Sequence, residues 1–114
     1  MSESDLPELL RQIRQAAADA CVFVEGMEQD DFIDDKRTHQ AVVLSLMIIG
    51  EAVARTANRH PDFVSAHPEI PWREMRGLRN RIAHGYFDVD LGIVWDTVRK
   101  DLPDLLNKLA ELNR

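Results

Sequence analysis

The side chains that could do chemistry are concentrated between residues 79 and 86 of this chain. Arg79 offers a planar fork of N–H donors that matches a phosphate group, and His84 can accept or donate a proton near neutral pH. On a helix, Asn80 and His84 share a face because they are four residues apart, so the amide could orient the imidazole. We therefore expect a site that binds phosphate and transfers protons, with the phenol of Tyr86 able to contact a base or ribose.

Arg79 and His84 can meet at one ligand only if the helix that carries them ends there. The two residues are five positions apart, which places them about 140° apart around an α-helix. Gly85 suits the left-handed position after a helix C-terminus. His84 would then lie where the helix dipole favours the protonated imidazole. The sequence therefore predicts a helix end near His84.

One reaction that arginine and histidine can perform without a metal is RNA cleavage by the RNA's own 2′-hydroxyl group. A base removes the hydroxyl proton, the oxygen attacks phosphorus, and an acid protonates the leaving 5′-oxygen; histidine suits either role. Arg79 would stabilise the charge of the transition state. Because one histidine cannot easily be base and acid at once, we expect a homodimer that joins two copies of His84 and Arg79 near its two-fold axis.

Simpler interpretations stay open. A histidine near a helix end is often only a hydrogen-bonding residue, helix arginines often form a solvated face, and Tyr86 could be an aromatic residue at the edge of the core. A non-catalytic module that binds a nucleotide or docks a protein partner would use the same residues. A purely structural helical adaptor is a third hypothesis.

The distribution of charge favours a focused anion site. The chain has 114 residues and a net charge of −6, which argues against general binding of nucleic acid over a broad surface. Residues 72–84 nevertheless contain four arginines and one glutamate, so this segment is +3 and the rest of the chain is −9. The other three arginines of the segment are therefore predicted substrate-binding residues: Arg73, Arg76 and Arg81.

Composition predicts a cytoplasmic protein without membrane contact, metal or cofactor. The single cysteine, Cys21, excludes an intramolecular disulfide. Residues 1–5 do not resemble a secretory signal, and the apolar run over residues 41–49 is too short to span a bilayer. No zinc-ligand spacing and no glycine-rich phosphate loop is present. The remaining histidines are interpreted as surface residues: His39, His60 and His67.

Apolar periodicity predicts an all-α fold, an antiparallel bundle of four to five helices in one domain over residues 1–114. The first helix should cover about residues 5–27, with Ser4 or Asp5 as its N-cap. A polar connector should follow over residues 28–34. The second helix should cover about residues 35–58, and Gly50 inside it predicts a close approach of another helix.

The rest of the chain should form shorter helices. A broken region over residues 59–70 could hold one helical turn at 62–66, and a third helix should run from Pro71 to near His84. Asp88 or Asp90 should cap a fourth helix, which Pro103 must kink or end before a last helix begins. Glu51 and Arg55 should form an ion pair on the second helix. The predicted packing residues are Trp72 and Trp95 as core or interface anchors, and Met47, Ile48 and Ile49 as dimer contacts.

Arg79, His84 and Tyr86 match the Arg-X4-His-X-Tyr motif of the HepT branch of the HEPN superfamily, which this chain resembles. The flanking segments are similar too: residues 50–52, 71–72, 77–80, 86–90 and 94–95. The resemblance covers about two thirds of the chain, from the second helix to the fourth. It leaves open a supporting role for Glu51, which lies in the first of these segments.

The resemblance implies a helical homodimer with the motif in a cleft at the dimer interface. It implies a metal-independent ribonuclease toxin in which Arg79 and His84 are catalytic and Asn80 is the polar helper. The implied partner is a minimal nucleotidyltransferase antitoxin that transfers AMP to Tyr86. AMP would block the site because it adds bulk and negative charge beside Arg79.

Overall fold

Helices make up most of the chain, as the apolar periodicity predicts. The computed structural model describes residues 5–82 and 88–112. Within these ranges lie eight α-helices and one π-helical turn between α7 and α8. They are α1 (Leu6–Phe23), α2 (Gln29–Asp34), α3 (Lys36–Arg59), α4 (Pro61–Ala66), α5 (Trp72–Arg76), α6 (Leu78–Ile82), α7 (Leu91–Asp96), the π-helical turn (Thr97–Asp101) and α8 (Leu102–Glu111).

The antiparallel pair of α1 and α3 forms the centre of the bundle. Three alanines of α1, Ala16, Ala17 and Ala20, are buried, and their small side chains let α3 lie close. The start of α1 meets the end of α3, where the Asp5 carboxylate accepts hydrogen bonds from His60, at 2.6 Å, and from Arg59. These two hydrogen bonds lower the pKa of Asp5, and the bond with His60 has the larger effect. Asp5 therefore joins two helices. It is the N-cap residue of α1 by position, but its side chain does not make the predicted capping bond.

The first helix ends earlier than its apolar spacing predicts. It stops at Phe23, because the chain turns through Gly26, whose φ of 78° lies in the left-handed region. Val24 remains buried although it is no longer helical. The predicted connector also contains a helix, α2, whose fully buried Phe32 holds it on the core. A reciprocal capping box between Glu28 and Asp31 starts α2.

The second predicted helix is confirmed to within one residue at each end as α3. The Asp35 carboxylate caps it by accepting the Thr38 N–H at 3.1 Å. By length and composition α3 could cross a membrane, but 44% of that apolar window is buried in the bundle. Packing therefore accounts for part of its apolar character. The predicted helical turn near residue 62 is also confirmed, as α4.

The third predicted helix is instead two short helices, α5 and α6. Between them Gly77 has φ −86° and ψ 2°, outside helical values, although its N–H still bonds to Arg73 O. The helical hydrogen-bond pattern resumes with a bond from Arg81 N–H to Gly77 O at 3.0 Å. Glycine is a weak helix former, and so the helix breaks at this position. The predicted end near His84 and the predicted cap at Gly85 lie outside the described residues.

Pro103 is accommodated by a π-helical turn that begins six residues before it. Leu102 N–H donates to Thr97 O, five residues back, and Pro103 then falls in the first turn of α8. Because proline has no N–H and crowds the preceding carbonyls, the wider turn relieves that crowding, and α8 follows the π-helical turn without a gap. Asp90 is confirmed as the cap of α7, since its carboxylate accepts Ile93 N–H at 3.1 Å.

Both tryptophans are confirmed as core anchors. Trp72 is 8% exposed and donates its indole N–H to His67 O at 2.8 Å. Trp95 is 9% exposed, and its ring lies 5.3 Å from that of Phe32, between ring centroids. The Arg99 guanidinium covers the Trp95 ring at 5.2 Å from the centroid. These contacts fix α5 and α7 against the bundle.

Gly50 lies where α5 approaches α3, as predicted, and the spacing there can be tested. A methyl group at this position would lie 3.5 Å from Met75 O, an ordinary van der Waals contact. We therefore expect Gly50→Ala to raise the free energy of unfolding by about 0.5–1 kcal/mol, through helix propensity. Gly50→Leu should lower it by roughly 1–3 kcal/mol, because the larger side chain meets backbone. Urea unfolding of both variants measures this; a less stable alanine variant would contradict the spacing.

Candidate functional site

Arg79 lies in a cleft where three helices of the described chain converge. The cleft has a volume of about 410 Å³. Arg79 enters it from α6, and the other lining residues come from α1 and α3. They are Gln12, Met47, Ile48, Glu51, Ala52 and Arg55.

The local sequence of α6 explains why Arg79 faces this cleft. Leu78 and Ile82 are four residues apart, and both are buried, so they hold one face of α6 against the core. The residues between them, Arg79, Asn80 and Arg81, are exposed. Arg79 and Arg81 are about 200° apart around a helix, which sends their side chains to different sides.

Arg81 lines a second groove, between α5–α6 and the π-helical turn with α8. This groove has a volume of about 550 Å³ and an apolar floor. Arg73 and Arg76 of α5 are exposed and line neither this groove nor the Arg79 cleft, and the same holds for Asn80. The structure therefore separates Arg79 from the other arginines of its segment. Their predicted roles in binding substrate stay predictions.

The Arg79 cleft carries more positive than negative charge. Arg55 Nε donates to Glu51 Oε2 at 3.0 Å, which confirms the predicted ion pair on α3. Among the described residues, no ion pair involves Arg79. The described lining of the cleft therefore contains two guanidinium groups and one carboxylate. In a chain of net charge −6, this local excess of positive charge favours an anion.

An exposed apolar strip of α3 borders the cleft. Leu44 is 62% exposed and Ile48, one turn further along, is 42% exposed. Ile48 also lines the cleft, together with the half-buried Met47. Ile49, which we had expected to join this surface, is fully buried in the core instead. Its position, about 100° from Ile48 around the helix, turns it into the core.

Comparison with known protein families identifies the family of this chain. The model of the family described as "Ribonuclease HepT-like" matches residues 13–112. The chain belongs to the HepT-like ribonuclease family. A probable ribonuclease HepT of Thermococcus cleftensis is 39% identical over 110 residues, which cover 96% of this HepT-like chain and 91% of that protein.

Other relatives of this HepT-like chain carry similar names. A putative RNase of Methanocaldococcus jannaschii is 35% identical over 112 residues, or 98% of this chain and 90% of that protein. A putative RNase of Caldanaerobacter subterraneus subsp. tengcongensis is 38% identical over 89 residues, or 78% of this chain and 77% of that protein. No solved structure matches the chain.

In this HepT-like chain, the predicted residues His84 and Tyr86 lie outside the described residues. The two ends of the segment that contains them are joined, because Asp90 N–H donates to Ile82 O at 2.7 Å. Asp90 therefore lies beside the end of α6, the helix that carries Arg79. This backbone bond had no signal in the sequence.

The other histidines of the HepT-like chain have partners outside the Arg79 cleft. His60 bonds to Asp5, His67 Nδ1 lies 3.0 Å from Glu69 Oε2, and His39 Nδ1 lies 3.3 Å from Phe32 O. None of the three lines the cleft. In the described ranges, no group of three or more histidine, cysteine or acidic residues is placed to hold a metal.

Cys21 is half-buried on α1 and has no role in the cleft. Its Sγ lies 4.0 Å from Val98 O, and burial raises the pKa of the thiol. A raised pKa keeps the thiol protonated and therefore weakly nucleophilic. Gln12 of α1, in contrast, lines the cleft although no local motif marks it. Only the packing of α1 against α3 brings it to Arg79.

Proposed function

We propose that this protein is a metal-independent endoribonuclease toxin of a toxin–antitoxin pair and acts in the cytoplasm. The observation that carries the proposal is the position of Arg79, which has no ion-pair partner among the described residues, in a cleft of three helices. The family is that of HepT-like ribonucleases, and its Arg-X4-His spacing is present at Arg79 and His84. Anionic RNA is the substrate that this charge and this family support.

The proposed reaction uses the RNA's 2′-hydroxyl as the nucleophile. A base, His84, removes its proton; the oxygen bonds to phosphorus while the bond to the 5′-oxygen breaks, and an acid protonates that oxygen. The products are a 2′,3′-cyclic phosphate and a 5′-hydroxyl group. Arg79 stabilises the negative charge that develops on the phosphoryl oxygens, and Asn80 orients the imidazole. Arg73, Arg76 and Arg81 are proposed to contact RNA that extends beyond the cleft.

The dimer is part of the proposal, because the reaction needs both a base and an acid. His84 of each protomer supplies one of them when two copies meet at a two-fold axis. Ile48 lines the cleft, Leu44 lies one turn before it on α3, and their exposed side chains provide an apolar surface for that contact. A dimer through this strip would bring the two clefts together.

Cleavage of RNA in excess EDTA tests the activity. We expect the wild type to release fragments with 2′,3′-cyclic phosphate ends. His84→Ala and Arg79→Ala should each lower kcat by roughly 100-fold or more, since each removes a group that acts on the transition state. Arg37→Ala, which removes an exposed arginine at the start of α3, is the control and should cleave normally.

The same assay decides against the alternative, a module that binds a nucleotide or a protein without cleaving RNA. A purified wild type that binds RNA or nucleotide but leaves every RNA intact would support that module. Equal cleavage by wild type and His84→Ala would show that the activity comes from elsewhere.

The dimer surface is tested by a charge on the apolar strip. Leu44→Glu should shift the protein from dimer to monomer in sedimentation velocity and lower RNA cleavage by about tenfold or more, because a buried unpaired charge disfavours association. Ile33→Glu is the matched control: Ile33 is also exposed, at 37%, but lies on α2. A Leu44→Glu variant that stays dimeric would place the interface on another surface.

The proposed partner is a minimal nucleotidyltransferase antitoxin that transfers AMP to Tyr86. With this enzyme and ATP, we expect a mass gain of one adenylyl group per chain and loss of RNA cleavage, because the added phosphate is attracted to Arg79. Tyr86 is the only tyrosine of the chain, so Tyr86→Phe is a direct control. That variant should cleave RNA and escape inhibition; an equal mass gain in Tyr86→Phe would overturn the assignment.

A further inference from the structure

We infer that Arg55 is a substrate-binding residue, which holds an RNA phosphate next to the one that Arg79 stabilises. The inference rests on the proposed ribonuclease function and extends it to a residue outside the Arg-X4-His motif. Its basis is that Arg55, near the C-terminal end of α3, and Arg79, from α6, line the same cleft. No spacing in the sequence connects the two arginines.

The ion pair between Arg55 and Glu51 leaves most of the guanidinium group open. Only Nε of Arg55 donates to Glu51, at 3.0 Å, and the two terminal nitrogens have no hydrogen bond to any described residue. Those terminal nitrogens can donate hydrogen bonds to a phosphate. Arg55 is therefore held at its inner nitrogen, and its outer edge remains available to a ligand.

A second arginine of the chain shows what a closed surface pair looks like. On α1, Arg11 donates to Glu8 through both Nε, at 2.8 Å, and a terminal nitrogen, at 2.7 Å. Both carboxylate oxygens of Glu8 are occupied in this two-bond arrangement. The two arginines are equally exposed, at 53% for Arg11 and 55% for Arg55, but only Arg55 borders a cleft with a second guanidinium.

The ion pair between Arg55 and Glu51 adds little to the stability of the protein. Both side chains are more than half exposed, Glu51 at 65%, and exposed i,i+4 pairs contribute little to the stability of a helix. Two arginines that approach one cleft also repel each other unless an anion lies between them. A bound phosphate chain removes this repulsion, whereas Glu51 offsets only one of the two charges.

The lining of the cleft suits part of a single strand that lies along its surface. The cleft is open to solvent and has a volume of about 410 Å³. Met47 and Ile48 form an apolar wall against which a ribose or base can pack, and the arginines lie beside it. Recognition of single-stranded RNA combines cations for the backbone with such surfaces for the bases.

Steady-state cleavage of a short single-stranded RNA in EDTA tests the role of Arg55. Because Arg55 touches a phosphate that does not react, Arg55→Gln should raise KM about tenfold and leave kcat within about twofold. The salt dependence of binding should become less steep by about 0.7 in the log–log slope, the value for one phosphate contact of a single strand. Arg55→Lys should restore the slope and part of the affinity.

Arg11→Gln is the matched control and should keep the wild-type KM and salt slope. Far-UV circular dichroism and the urea midpoint should be the same for wild type and Arg55→Gln, since the residue is exposed. A wild-type KM and slope in Arg55→Gln would overturn the inference while the ribonuclease proposal stands. A drop in kcat alone would also overturn it, because it would move Arg55 to the reacting phosphate.

Binding of a non-cleavable 2′-O-methyl oligonucleotide separates this inference from the proposed function. If the wild type cleaves no RNA but binds the oligonucleotide, and Arg55→Gln binds about tenfold more weakly, the anion site is supported and the nuclease proposal fails. If the wild type neither cleaves RNA nor binds the oligonucleotide, both fail.

Discussion

The buried alanines of α1 let α3 lie close against it, and every other helix of the described chain packs on that pair. Helices α2, α4, α5, α6 and α7 contact α3, while the π-helical turn and α8 contact α1. The Asp5 carboxylate joins the two helices at one end of the pair. The Arg79 cleft depends on the same contact, since α1 and α3 supply all of its described lining residues except Arg79 itself.

The sequence was sufficient to predict the fold class and the elements that regular periodicity and end signals both define. Helix α3 has both: a wide apolar face and Asp35 as its cap. The end of α1 was predicted too late because Val24 continues the apolar period, while Gly26 takes a left-handed conformation that periodicity does not reveal. Helix α2 was not predicted because Phe32 is its one buried residue, and a single apolar residue gives no helical periodicity.

For the candidate site, the sequence indicated the arginine but not its surroundings. Arg79 could be predicted because it belongs to a local motif. Gln12 and Arg55 could not be assigned to the cleft, because they reach it through the packing of α1 and α3 and not through neighbouring positions. The converse holds for Arg81, which is two residues from Arg79 in the chain but lines a different groove. A cluster of charges in a sequence becomes several separate surfaces once it is wound into a helix.

The backbone bond between Asp90 and Ile82 also bears on how much the chain can vary near the site. Because it holds Ile82 next to Asp90, residues can be added between Tyr86 and Asp90 without moving α6 or α7. The entropic cost of a longer closed loop grows slowly, by about 0.6 kcal/mol for each doubling. The bundle is therefore a frame that can accept a longer connection after Tyr86, while Arg79 and the walls of its cleft stay in place.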